Sequence, residues 1–204
     1  GLPQLVVRET AKAHADGDWR LMRGLWQWSN RVLAVFSSLV LAGVVVVFWL
    51  SEPSPKLETL AIGAALIPII ALGSLRAACL RGLRRVVPGQ LPENIVRPLV
   101  QLVILLGAVV LEMDDSLARP QAAMMIYGVG ALAALMTSAA LLYCFRPVEV
   151  QLATAFMRPA EWYRATFPLA VIGGLQLINN QTDIVFIGLF RADEEAGIYR
   201  AVVQ

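Results

Sequence analysis

Five long apolar stretches run through this 204-residue chain, and the segments flanking them alternate between arginine-rich and arginine-poor. Segment 1–31 carries Arg8, Lys12, Arg20, Arg23 and Arg31; segment 51–58 carries only Lys56. Segment 76–97 carries Arg76, Arg81, Arg84, Arg85 and Arg97, and segment 112–120 only Arg119. Arg146, Arg158 and Arg164 follow in 146–164, then Arg191 alone in 191–197. Short cytoplasmic loops of membrane proteins hold the excess of Lys and Arg, so the alternation predicts a chain that crosses a bilayer repeatedly. It also orients the chain, with 51–58, 112–120 and 191–197 facing outward.

Composition agrees. Hydrophobic residues make up 58% and charged residues 16%, and mean hydropathy is +0.66. A water-soluble domain of this length needs more charged surface. Arg81, Arg84 and Arg85 lie between two apolar stretches, so membrane-surface anchoring explains them and no nucleic-acid partner is implied. Cys79 and Cys144 both fall at cytoplasmic ends, a reducing location where no disulfide is expected. One histidine and two isolated cysteines give no metal-ligand spacing, and no cofactor is expected. The chain opens on Gly1 and stops at Gln204 within an apolar helical pattern; it reads as a piece of a longer protein.

The spacing predicts spans over 32–50, 59–75, 98–111, 121–145 and 165–190, each long enough to cross if the third starts at Ile95 and Arg97 snorkels to the interface. Residues 1–7 read as the cytoplasmic end of a preceding span. Residues 198–204 begin a further helix. Residues 8–31 and 76–97 read as basic loops. Asp18 is placed to cap a helix starting at Trp19 after the turn at 15–18, and Pro88-Gly89 marks a turn in the second loop. Trp19, Trp26 and Trp28 suit an interfacial aromatic belt. Pro68 is expected to kink its span, and Gly63, Ala64, Ala65, Gly73 and Ser74 to permit close helix contact. Segment 146–164 reads either as an amphipathic surface helix or as a polar loop.

Among acidic residues, only Asp183 falls inside a span, about 10 Å of helix rise before Phe190. A carboxylate at mid-bilayer costs roughly 2.5–3.5 kcal/mol on insertion scales and normally faces water or a partner. Gln176, Asn179, Asn180 and Asp183 recur at helical spacing, which predicts a polar stripe lining a hydrophilic path. Hydrogen bonding between helices is the plainer explanation of the amides. Arg31, at the start of the first span, is a candidate to reach the same path, with snorkelling as the alternative. Gln27, Asn30, Ser37 and Ser38 add polarity to that helix. His14 reads as a solvated loop residue. No catalytic constellation and no phosphate-binding glycine loop stands out, so an enzyme is not expected.

The stretch Gly1-Leu-Pro-Gln-Leu-Val-Val-Arg-Glu9 resembles the end of the second helix of polysaccharide-type lipid-linked oligosaccharide flippases. These share a superfamily with multidrug/toxin extruders and peptidoglycan-precursor flippases. Leu80-Arg-Gly-Leu-Arg-Arg85 and Pro88-Gly-Gln-Leu-Pro-Glu-Asn-Ile-Val-Arg-Pro98 look like the loop after their fourth helix. Asn180-Gln-Thr-Asp183 through Gly188 and Glu195-Ala-Gly-Ile-Tyr199 resemble the start of their second half. The resemblance covers nearly the whole chain.

It implies an all-α polytopic transmembrane bundle, a fragment of a two-lobe transporter of twelve to fourteen helices. Residues 1–164 would run from the end of helix 2 through helix 6 and a cytoplasmic linker; 165–204 would hold helix 7 and the start of helix 8. It further implies a bacterial inner-membrane protein of O-antigen, capsule or exopolysaccharide assembly. Alternating access would carry an undecaprenyl-diphosphate-linked oligosaccharide to the outer leaflet. Its partners would be the bilayer, that lipid-linked substrate, and the polymerase and chain-length machinery. Gln176, Asn179, Asn180 and Asp183 would then face the cavity between lobes, while the family's cavity arginines find only Arg31 as a candidate here. The rivals are a cation-coupled drug exporter of the same superfamily, a membrane enzyme of glycan assembly, for which outward loops this short leave little room, and a non-transporting membrane scaffold.

Overall fold

The computed structural model describes residues 1–50, 55–110 and 120–190, with side chains except at 55, 56, 58, 120, 177 and 180–190. Every regular element among them is helical. They are α1 (Leu2–Asp16), α2 (Trp19–Leu50), α3 (Pro55–Gly82), α4 (Val86–Leu91), a π-turn at Pro92–Val96, α5 (Arg97–Val110), α6 (Pro120–Phe145), α7 (Val148–Leu152) and α8 (Pro159–Phe190). Of the expected outward loops, 51–54, 112–119 and 191–197 lie outside the described residues, as does the helix expected to begin at Ile198.

Among the described residues, four helical stretches are long and apolar enough to cross a membrane: Trp19–Leu50, Thr59–Gly82, Val86–Val110 and Gln121–Phe145. They coincide with the first four predicted spans. The fifth, α8, is one continuous helix of 32 residues, about 48 Å at 1.5 Å per residue. Its run of Gln, Asn, Thr and Asp dilutes its apolar character.

The two basic loops were drawn too long. Residues 8–31 are helix on both sides of a tight turn at Gly17-Asp18. Gly17 takes φ 68°, the left-handed conformation that ends α1, and the Asp18 N–H donates to the Ala13 carbonyl at 2.9 Å. Asp18 then caps α2 as expected, its Oδ1 accepting from the Leu21 N–H at 3.0 Å. The second loop shrinks to Leu83-Arg84-Arg85. There the Arg85 N–H reaches the Leu80 carbonyl and the Arg84 N–H that of Arg81, both at 3.0 Å, while Arg84 holds φ 61°. This double bond closes the end of α3.

Pro88-Gly89 is therefore not a turn. Pro88 sits in the first turn of α4, where a helix needs no backbone donor. Helix continues through Pro92 because the Arg97 N–H bonds back five residues to the Pro92 carbonyl. Segment 146–164 is neither a surface helix throughout nor a plain loop: α7 is one short turn, 153–158 has no regular structure, and α8 begins at Pro159.

The chain divides into two units, Pro3–Pro159 and Ala160–Gln204 with Gly1–Leu2. In the larger unit α3 packs chiefly on α6, with α2 beside α3 and α5 beside α6. Small side chains make these contacts: Ala64, Ala77, Ala78, Ala131, Ala134 and Ser138 are all buried. In lipid, helices gain from close van der Waals approach rather than from apolar bulk, which explains that composition. Gly73 fits this role, since a Cβ there would lie 4.0 Å from the Leu135 Cα, but Gly63 faces open space. The bulky residues turn outward, among them Phe36, Leu39, Val103, Leu106 and Met136. Two hydroxyls of α6 bond to their own helix, Ser138 to the Leu135 carbonyl and Thr137 to that of Ala133, both at 2.8 Å. That satisfies polar groups where water is absent.

Two tryptophans depart from the expected belt. Trp28 is buried at 5% exposure, and Trp26 Nε1 donates to the buried Thr10 Oγ1 at 3.1 Å, tying α2 to α1. His14 is likewise no loop residue. It closes α1, half-buried, with its ring 5.6 Å from that of Trp19.

Candidate functional site

Gln176, Asn179, Asn180 and Asp183 lie on the single helix α8. At 3.6 residues per turn they share one face of its backbone. Gln176 and Asn179 are exposed within the chain; the side chains of Asn180 and Asp183 fall outside the described residues. Arg31 is exposed on α2, its Nη1 3.9 Å from Met157 Sδ in segment 153–158.

That segment is held on α2 by backbone contacts. Arg23 Nη1 donates to the carbonyls of Gln151 and Ala153, the latter at 2.6 Å. The Phe156 N–H donates to the Arg20 carbonyl at 3.0 Å. Phe156 approaches Gly24 so closely that a Cβ on Gly24 would overlap its carbonyl oxygen. Beside this seam lies a cleft of about 420 Å³ lined by Arg23, Trp26, Gln27, Asn30, Arg146, Val150 and Gln151. Arg146 stacks on the Tyr143 ring at 4.4 Å, and its buried Nε has no hydrogen-bond partner.

A third polar feature lies within α4–α5. Because helix starts at Val86 rather than at Ile95, Arg97 stands near the midpoint of the 25-residue stretch Val86–Val110. Its guanidinium packs on the Tyr127 ring of α6 at 4.0 Å. With Glu93 one turn earlier it borders a small cavity between α3 and α6, which Ile69, Gly73 and Ala134 also line. The π-turn at Pro92–Val96 stands directly before Arg97, and π-turns recur at functional positions.

Sequence reasoning passed over Arg23, Arg146, Glu93 and Arg97 as site residues. A signal for the cleft existed: Arg23, Trp26, Gln27 and Asn30 follow the i, i+3, i+4, i+7 spacing of one helix face. Reading 8–31 as a loop hid it.

Among the described residues, four spanning helices with apolar exteriors and small-residue contacts define a multi-pass membrane protein of the helix-bundle type. Residues 1–204 match the family described as polysaccharide biosynthesis protein, and the chain belongs to that family. No curated protein and no solved structure matches it.

Proposed function

We propose that the chain is part of a flippase, not an enzyme, that moves an undecaprenyl-diphosphate-linked oligosaccharide from the cytoplasmic to the outer leaflet of a bacterial inner membrane. The observation that carries this reading is the polar face Gln176–Asn179–Asn180–Asp183 on a helix long enough to span, in a chain of the polysaccharide biosynthesis family. A sugar headgroup needs hydrogen-bonding side chains along its route, and amides supply donors and acceptors without a net charge. Asp183 adds one ionisable group, suited to coupling transport to a cation gradient.

Deleting the gene should leave lipid-linked repeat units on the cytoplasmic leaflet. Asp183→Asn in the full-length protein should lower polymer export about tenfold or more, equivalent to about 1.4 kcal/mol on the rate-limiting step. Intact polymer with lost drug tolerance would point instead to a drug exporter.

A further inference from the structure

The cleft between the start of α2 and the end of α6 lies at the arginine-rich end of the bundle, where charge alternation places the cytoplasmic headgroup layer. Arg23 spends one guanidinium nitrogen on the Gln151 and Ala153 carbonyls, which fixes the group while leaving other N–H donors for a ligand. Arg146 is held by Tyr143 stacking, with its Nε unpartnered. Gln27 and Asn30 add amides from the adjacent helix face, and among the described residues no acidic side chain lines the cleft.

Donors alone would suit any phosphate, but the surroundings favour one carried by a lipid. Tyr143, Phe145 and Val148, flanking Arg146, are exposed and offer apolar surface to acyl chains. Basic pockets between membrane helices on the cytoplasmic side bind anionic headgroups, and about 420 Å³ is room enough for one.

We propose that this cleft is a binding site for the phosphate of an anionic phospholipid headgroup, independent of the polar face of α8 and of whatever the protein transports.

The test uses the full-length protein, purified from membranes containing cardiolipin and phosphatidylglycerol, with retained lipid counted by native mass spectrometry. Arg146→Gln and the double variant Gln27→Ala/Asn30→Ala should each lower retention about fivefold. Arg146→Lys should keep most of it, and Lys12→Gln, which removes a charge outside the cleft, should change nothing. Equal loss in Lys12→Gln and Arg146→Gln would reduce the effect to general surface attraction and overturn the site. Unchanged retention in both cleft variants would overturn it too, as would full displacement of the lipid by millimolar inorganic phosphate. Polymer export is scored separately, so failure here leaves the flippase reading standing.

Discussion

Arg97 carries a full charge near the middle of a helical stretch whose other residues are mostly apolar. Desolvating a guanidinium there is tolerable only with partners, and the Tyr127 ring at 4.0 Å is one. The attraction is to the ring face rather than to the hydroxyl, which gives a discriminating pair of variants. Tyr127→Phe keeps the face and should leave thermal stability in detergent close to unchanged. Tyr127→Leu removes it and should destabilise by about 0.5–1 kcal/mol, the range for a cation–π pair that is partly exposed, as Tyr127 is. Asp183 was legible in the sequence because it interrupts an uncharged run. Arg97 was not, because it sits beside four other arginines and was counted with their loop. What separates it from them is the start of α4 at Val86, fixed by the closed turn at Arg84.

Among the elements, hydropathy marked where helices exist but not where they end. The cores of α2, α3, α5 and α6 were plain from their apolar runs. Their arginine-rich extensions were not, because arginines interrupt the apolar pattern there and make it look like loop. Trp28 and Trp26 were misplaced for the same reason: once 19–31 is helix, they turn toward α1 and the interior. Glycines test the packing of such extensions. Gly24→Ala would drive a Cβ into the Phe156 carbonyl, and because backbone must move, a loss of about 1–3 kcal/mol is expected. Gly63→Ala meets open space and should stabilise by about 0.5–1 kcal/mol through helix propensity. Opposite shifts in the unfolding midpoint for these two substitutions are the expected result; equal shifts would show that Phe156 does not pack on α2.

At the scale of the whole molecule, apolar length marked four of the predicted spans, while the linker after the fourth escaped the pattern. Segment 146–164 has apolar positions enough for an amphipathic pattern, but its path is set by contacts made elsewhere: Gly24 leaves space, and Arg23 Nη1 reaches two carbonyls. Those carbonyls are 128 and 130 positions away in sequence, beyond any local pattern. The chain leaving the larger unit is thereby pinned to α2 up to Phe156. Both bonds come from Arg23 Nη1, and a methionine in its place keeps an apolar stem with no donor. Arg23→Met should therefore free 153–158 while leaving the bundle folded, because α3, α5 and α6 pack without it. Chymotrypsin cleavage after Phe156 reports this directly. Loss of two charge-assisted bonds, each about 1.5–3 kcal/mol, should raise the cleavage rate at least tenfold with an unchanged unfolding midpoint. Unaltered cleavage would mean that the backbone bond between Phe156 and Arg20 and the close fit at Gly24 hold the segment without the arginine.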